Sequence, residues 1–446
     1  MTFLLLLTGG VFAVAFLVLA FVSHFEREFV ARGRAALFAV VLPLPYLLTA
    51  WFDAPLRAIL GWTLLVATAA FGVSLVVPGR RPRIPAVAAG ARIDERTIMF
   101  SRAALEPGGG RFETYYELHP EHRPADDRFR AKPGLMSERS VKYEPLSFAA
   151  AAASFAAVEH LTPLTEGDVA DVRRDIAPDH ATRFLKGWSH KLGAVACGVT
   201  ATRPVHYYSV KGRGPRWGET IEPEHRWAVA IAVEMDHRQM ASAPDGPTIM
   251  ESAQQYLDGG AIAVQMAEAI RRLGWPAEAH IDANYKVICP LVARDAGLGE
   301  IGRMGLLMTP HLGPRVRLVV VTTDLPLVAD RAADEPSVLD FCAICEKCAD
   351  VCPSEAIPRG PRAEADGRRR WRIDQDACFA YWCSVGTDCG QCVKVCPYSH
   401  PDTAVHAVVR SGLRRNGWTR RVALTMDDLL YGRRPTTLSP PRWLRG

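Results

Sequence analysis

Apolar positions change their spacing along this chain, and each change marks a different kind of element. Residues 3–21, 35–52 and 58–77 are nearly uncharged apolar runs of membrane-spanning length, so three transmembrane helices are predicted near the N-terminus. The middle run carries Pro43 and Pro45, whose freed backbone carbonyls can be satisfied by packing against neighbouring helices. Residues 78–85, rich in proline and arginine, read as a linker. Further on, residues 148–158 and 252–273 show helical periodicity. Residues 227–235 and 317–322 are apolar runs that read as buried strands. Strands alternating irregularly with helices over roughly 200 residues predict an α/β or α+β core. A cysteine-rich region without long apolar runs follows.

Charge orients the spans. The loop after the first carries Arg27, Arg32 and Arg34, and the segment after the third carries Arg80, Arg81 and Arg83. The intervening loop holds only Asp53 and Arg57. With three spans both basic segments fall on one side, which the positive-inside rule makes cytoplasmic. The expected location is the cytoplasmic membrane, multi-pass, with everything from about residue 90 onward facing the cytoplasm. A cleaved signal peptide is the rival reading of the first run, but Met1-Thr2-Phe3 offers no basic stretch and two further apolar runs follow at once. No twin-arginine signal precedes the first span. His24 is the only histidine in or beside the spans, so they read as an anchor rather than a haem-carrying wire. The formal charge of +5 is too modest to predict a nucleic-acid partner. Its clusters, Arg368-Arg369-Arg370, Arg414-Arg415 and Arg433-Arg434, read as solvated faces. Some of them can meet anionic membrane lipid or an acidic ferredoxin or flavodoxin.

The chemistry lies in two cysteine runs. Cys342-x2-Cys345-x2-Cys348-x3-Cys352-Pro353 has the bacterial ferredoxin spacing for a 4Fe–4S cluster. Cys378-x10-Cys389-x2-Cys392-x3-Cys396-Pro397 keeps the ending and moves its leading cysteine away. Eight thiolates suit two cubanes, one soft ligand per iron. In two-cluster ferredoxins the x3-Cys-Pro step sends its thiolate to the other cluster. The expected sets are therefore Cys342, Cys345, Cys348 and Cys396 for one, and Cys378, Cys389, Cys392 and Cys352 for the other. Structural zinc needs only four ligands and rarely shows two such endings, and disulfides belong to oxidising compartments. Cys383 competes with Cys378 as the outlying ligand, whereas Cys197 and Cys289, in apolar surroundings, read as small buried residues. Gly297-x-Gly299-x-x-Gly302 has the letters of a dinucleotide fingerprint, but residues 290–294 make a poor strand before it and Asp324 stands in a turn-like context.

The stretch from Tyr285 to Leu327, including Ala293-Arg-Asp-Ala-Gly-Leu-Gly-Glu-Ile-Gly-Arg-Met-Gly305, resembles the cobalamin-dependent reductive dehalogenases. So does Phe379-Ala-Tyr-Trp-Cys-Ser-Val-Gly-Thr-Asp-Cys-Gly-Gln-Cys-Val-Lys-Val-Cys-Pro-Tyr-Ser-His, with its long gap after Cys378. The similarity spans roughly residues 95–435, and the apolar N-terminus resembles the membrane-anchored branch of that family. The resemblance implies an α+β fold: a nitroreductase-like corrinoid-binding core with a C-terminal bacterial-ferredoxin-like two-cluster domain and an N-terminal three-helix membrane anchor. The corresponding division is an anchor at 1–78, a linker at 79–94, the core at 95–330, the cluster domain at 331–410 and a basic segment at 411–446. It further implies a base-off corrinoid, two 4Fe–4S clusters, an organohalide substrate and a low-potential donor (ferredoxin, flavodoxin or a membrane redox protein). The chain lacks the Asp-x-His-x-x-Gly signature that supplies a lower histidine in other corrinoid proteins, as that family does.

By the same resemblance Tyr256 is expected to donate the proton, Arg303 to stabilise the phenolate and Asn284 to support them. Gly299, Gly302, Gly305, Thr323 and Asp324 are expected to contact the corrinoid. Bland readings stand beside these: Tyr256 as core packing, and Arg303 in an ion pair with Glu300 or Asp295. Arg315 and Arg317 are rival cations. Two other functions compete, an epoxyqueuosine-reductase-like corrinoid enzyme and a membrane-bound ferredoxin-type electron carrier. The three spans and the weak net charge speak against the first, which would need a cytosolic, basic RNA-binding body. The roughly 250 residues between anchor and cysteines speak against the second.

Overall fold

The apolar N-terminal runs fold as helices: α1 (Thr2–Phe25), α2 (Phe29–Val41), α3 (Leu44–Ala50) and α4 (Ala54–Val76). The computed structural model describes residues 1–79, 91–282, 284–332, 336–365 and 368–444. Most of the expected linker, with Arg80, Arg81 and Arg83, lies outside the described residues. Three helical stretches, Thr2–Phe25, Phe29–Ala50 and Ala54–Val76, are long and apolar enough to cross a membrane. The second is interrupted between α2 and α3, where Pro43 and Pro45 withhold backbone donors. The described residues of Met1–Arg83 group with Asp340–Cys345 and His400–Thr436 in one compact unit, and the rest of the described chain forms a second.

The second unit is built on a four-stranded sheet in the order β1-β2-β6-β3, antiparallel throughout. Its strands are β1 (Ala196–Ala201), β2 (Trp227–Glu234), β3 (Ala277–His280) and β6 (Val316–Thr323), while β4 (Glu300–Ile301) and β5 (Leu307–Met308) form a separate small hairpin. Its helices include α5 (Gly110–Leu118), α6 (Arg123–Arg130), α7 (Pro145–Glu159), α8 (Gly246–Arg272), α9 (Cys289–Asp295) and α10 (Gln375–Val385). β2 is buried on both faces, which is why it reads as a continuous apolar run rather than an alternating one. Val229, Ile231 and Val233 pack with Ile262 and Met266 of α8, and Ala228, Ala230 and Ala232 with Val292 of α9. The helices expected at 148–158 and 252–273 are α7 and α8, and the strands expected at 227–235 and 317–322 are β2 and β6. The fold is therefore mixed α+β.

In the first unit, the stretch expected as a basic segment from 411 contains folded helices. α11 (Ala404–Leu413) and α12 (Gly417–Leu430) are both ordered, and Leu430 packs with Ala20, Ala31 and Ala35 of α1 and α2. Asn416 closes two helices at once. Its carboxamide oxygen accepts from Thr419 N at the start of α12 (2.8 Å), and its nitrogen donates to Ser74 O (3.0 Å) and Val77 O (2.8 Å) at the end of α4. Thr419 Oγ1 donates to Leu75 O at 2.9 Å, and Arg34 Nη1 to Leu429 O at 3.1 Å.

Candidate active site

Within the second unit, the start of β6, one face of α8, the β4–β5 turn and the cysteine loops converge on a cavity of about 290 Å³. Three side chains from three distant stretches, Tyr256, Arg317 and Asp388, line one wall, and Ser252 braces it. Tyr256 and Ser252 stand one turn apart on α8, Arg317 is the second residue of β6, and Asp388 precedes Cys389. The Arg317 guanidinium lies 4.8 Å from the centre of the Tyr256 ring. Its Nη2 donates to Asp388 Oδ2 at 2.6 Å and to Ser252 Oγ, and the Ser252 hydroxyl donates to the same Asp388 oxygen. The cation is thus fixed from behind by a carboxylate while its face covers the phenol. Burial pushes the Tyr256 hydroxyl above its usual pKa, Arg317 opposes that rise, and Asp282 and Asp388 add to it.

The other two arginines point elsewhere. Arg303, fully buried in the β4–β5 turn, donates through Nη1 to Pro358 O (2.7 Å) and Gly360 O (2.9 Å). Its Nη2 pairs with Glu346 at 3.0 Å, and its guanidinium lies 4.6 Å over Trp371. The structure therefore does not bring Arg303 to Tyr256, and its carboxylate partner is Glu346 rather than Glu300 or Asp295. Arg315 is held by Glu234 (2.7 Å) and Ser399 O (3.0 Å). Asn284 Nδ2 donates to Thr165 Oγ1 at 2.9 Å, and its oxygen accepts from Lys211 Nζ at 3.3 Å. It does not line the cavity, but the next residue, Tyr285, does.

The expected corrinoid contacts separate into two groups. The loop that Gly302 and Gly305 shape, with Gly305 N bonded to Gly302 O at 3.0 Å, presents Met304, Leu306 and Leu307 to the cavity. Gly299, Thr323 and Asp324 are not brought there. A Cβ on Gly299 would lie 2.1 Å from Met308 O, so this glycine serves the close approach of two backbone segments. Thr323 Oγ1 donates to Pro276 O (2.6 Å) and Asp324 Oδ1 accepts from Arg226 N (3.0 Å), both at the end of β6 remote from Arg317. The residues before Gly297 form helix α9 rather than a strand, which disposes of the dinucleotide fingerprint.

The same cavity is lined by Cys352, Cys378, Cys389 and Cys392, the expected crossed set. Burial, then the neighbouring Cys389 and Cys352, push the Cys378 thiol up to about 12. Burial and the adjacent Asp388 and Cys352 push Cys389 up to about 11. Crowded thiols of this kind are a donor set that suits a polynuclear iron centre. Cys383, farther along α10, packs instead with Phe129 and Phe379, so it does not replace Cys378. Gly390, at φ +68°, sits where a Cβ would lie 2.7 Å from Thr248 Cγ2, so only glycine passes between Cys389 and α8. Cys348 and Cys396 are buried in this unit, and Cys342 and Cys345 are buried residues of the helix Pro336–Cys345.

Residues 341–400 match the 4Fe-4S dicluster domain family, and the match takes in all the cysteines of both runs. Over 212 residues the chain is 33% identical to tetrachloroethene reductive dehalogenase of Sulfurospirillum multivorans, covering 46% of this chain and 42% of that protein. The tetrachloroethene reductive dehalogenase of Desulfitobacterium hafniense is 31% identical over 207 residues, 44% of this chain and 37% of its own length. The solved structure of the catabolic reductive dehalogenase NpRdhA superposes with a TM-score of 0.64 at 26% identity, covering 79% of this chain and 49% of that one. Over the stretches these matches cover, the chain is homologous to reductive dehalogenases. It spans less than half the length of the curated relatives it matches.

In this reductive dehalogenase homologue the sequence did not single out Asp388 and Tyr285 as wall residues or Ser252 as the brace behind Arg317. A signal existed for two of them. Ser252 is four residues before Tyr256 on a helical run, and Asp388 adjoins a cluster cysteine.

Proposed function

We propose that the chain is a membrane-anchored, corrinoid-dependent reductive dehalogenase, which replaces a carbon–halogen bond by carbon–hydrogen using two electrons and one proton and releases halide. One observation carries this reading: a cation-covered tyrosine and four cysteines line one mostly apolar cavity. A solved relative, 27% identical with a TM-score of 0.64, is a reductive dehalogenase whose structure suggests a mechanism for B12-dependent dehalogenation. The residues here suit such a group. None of the described lining residues is a histidine, as a base-off corrinoid without a protein lower ligand requires, and Met235, Met240 and Leu306 offer apolar surface.

When bound, the corrinoid supplies a low-potential cobalt centre for carbon–halogen cleavage, fed with single electrons by the two clusters. The protein's part follows from its own atoms. Tyr256 Oη holds the proton that the carbon receives, and Arg317 stabilises the phenolate left behind. Asp388 and Ser252 keep Arg317 in place, and the apolar lining excludes water. The cluster sets are Cys352, Cys378, Cys389, Cys392 and Cys342, Cys345, Cys348, Cys396, in a bacterial-ferredoxin-like arrangement beside a nitroreductase-like core. The three apolar helices anchor the chain in the cytoplasmic membrane with the catalytic body in the cytoplasm. There it draws on a ferredoxin, flavodoxin or membrane redox protein.

The test is the cobalt and iron content after anaerobic purification in detergent with corrinoid supplied, followed by halide release from a panel of organohalides. About one cobalt and about eight irons per chain, with halide released, is the expected result. Iron without cobalt favours an electron carrier. Both metals without halide release favour an epoxyqueuosine-reductase-like enzyme.

A further inference from the structure

At the far end of α5 the chain reverses within four residues. His119 leaves the helix at φ −133°, Pro120–His122 make one 3-10 turn, and α6 begins at Arg123. The reversal turns three ligand-type side chains toward one point. His119 Nδ1 lies 3.3 Å from Glu121 Oε1, and His122 Nε2 lies 3.9 Å from the same oxygen. One donor atom from each of the three residues falls within 4.8 Å of the others. A tetrahedral ion with bonds of about 2.0–2.1 Å holds its ligand atoms roughly 3.3 Å apart, so closing this set takes side-chain adjustments of at most about 1.5 Å.

A second observation shows that the set is oriented from behind. The hydroxyl of Tyr115, which is 1% exposed, is hydrogen-bonded to His122 Nδ1 at 2.6 Å. That bond occupies the inner nitrogen and leaves Nε2 turned to the cluster, the arrangement by which outer partners fix a metal-binding imidazole. The His119 ring also packs on Tyr115, with centroids 4.8 Å apart. Two imidazoles and one carboxylate select a borderline divalent ion such as zinc over calcium or magnesium, which take oxygen ligands. Half-exposed rings leave a fourth position open to water.

We propose that His119, Glu121 and His122 form a zinc-class metal site that clamps the turn between α5 and α6. The clamp has a definite place in the architecture. α6 supports α10, the helix that presents Cys378: Phe129 meets Phe379 with ring centres 5.1 Å apart, and Arg102 joins Asp126 of α6 (3.3 Å) to Asp376 of α10. A metal that fixes the turn therefore stiffens the support of the cavity's cysteine wall.

The experiment adds zinc ions to full-length protein whose clusters have been reconstituted, so that cluster cysteines are occupied, and counts bound zinc and iron after desalting. The expected result is one zinc per chain in the wild type and none in the His119→Ala/His122→Ala variant at unchanged iron content. Tyr115→Phe keeps the stoichiometry but weakens zinc binding by about tenfold. Should the double variant fold poorly, Glu121→Gln, altered at an exposed side chain, must still weaken binding. Equal zinc in the wild type and the His119→Ala/His122→Ala variant, or no zinc retained by the iron-replete wild type, overturns the proposal.

Discussion

Arg303 and Arg317 are both buried or nearly so, and both sit on elements that border the same cavity, yet they do different work. Arg303 faces into the protein around the β4–β5 turn, where two carbonyls, Glu346 and the Trp371 ring consume its donors and its face. Arg317 spends one nitrogen on Asp388 and Ser252 and turns its face to Tyr256. A guanidinium wholly enclosed by fixed acceptors is a structural tie. One anchored at a single edge, with its face over an ionisable ring, can respond to charge that develops there.

Three substitutions test the contrast between these arginines. Tyr256→Phe removes the proton donor and should lower turnover by about a thousandfold while cobalt and iron per chain stay unchanged. Retained halide release would remove the reason for contrasting the arginines at all. Arg317→Gln should cost about a hundredfold. Because Arg317 pulls the Tyr256 pKa down against burial, its loss should also move any alkaline limb of the pH–rate profile to higher pH, and a limb that stays or moves down refutes the pairing. Arg303→Gln should leave turnover per cofactor-replete molecule within about twofold. It should cost stability, by about 3–5 kcal/mol for breaking a buried pair, read as a lowered Tm.

Much of this architecture was legible in the sequence. The apolar runs announced α1 to α4 because each span-length run is apolar on every face, and β2 and β6 because burial inside the sheet leaves few polar positions to interrupt them. The cysteine spacings announced the 4Fe-4S dicluster domain because a cubane dictates short steps. Cys378 and Cys383 stayed ambiguous until α10 was seen to turn them to different sides, one to the cavity and one to Phe129. The tyrosine wall was harder to read. Ser252, Arg317 and Asp388 come from a helix, a strand and a loop, and only tertiary packing joins them. Arg303 drew attention through its glycine-rich surroundings, but those glycines serve the hairpin's tight backbone. Thr323 and Asp324 belong to the familiar-looking stretch after β6, whose polar groups stitch the strand end to Pro276 and Arg226. The C-terminal helices were hidden by their arginines, since a basic turn at Arg414-Arg415 masks the short amphipathic stretches flanking it.

The double cap made by Asn416 bears on the order of assembly. Ser74, to whose carbonyl it donates, and Asn416 are 342 residues apart. A ribosome that has released α4 must therefore make all the chain between them before that helix end exchanges water for its final partners. Synthesis of the apolar helices and completion of the first unit are thus separate events in time. A nascent chain stopped before Asn416 carries α1 to α4 but lacks the side chain that closes the last of them.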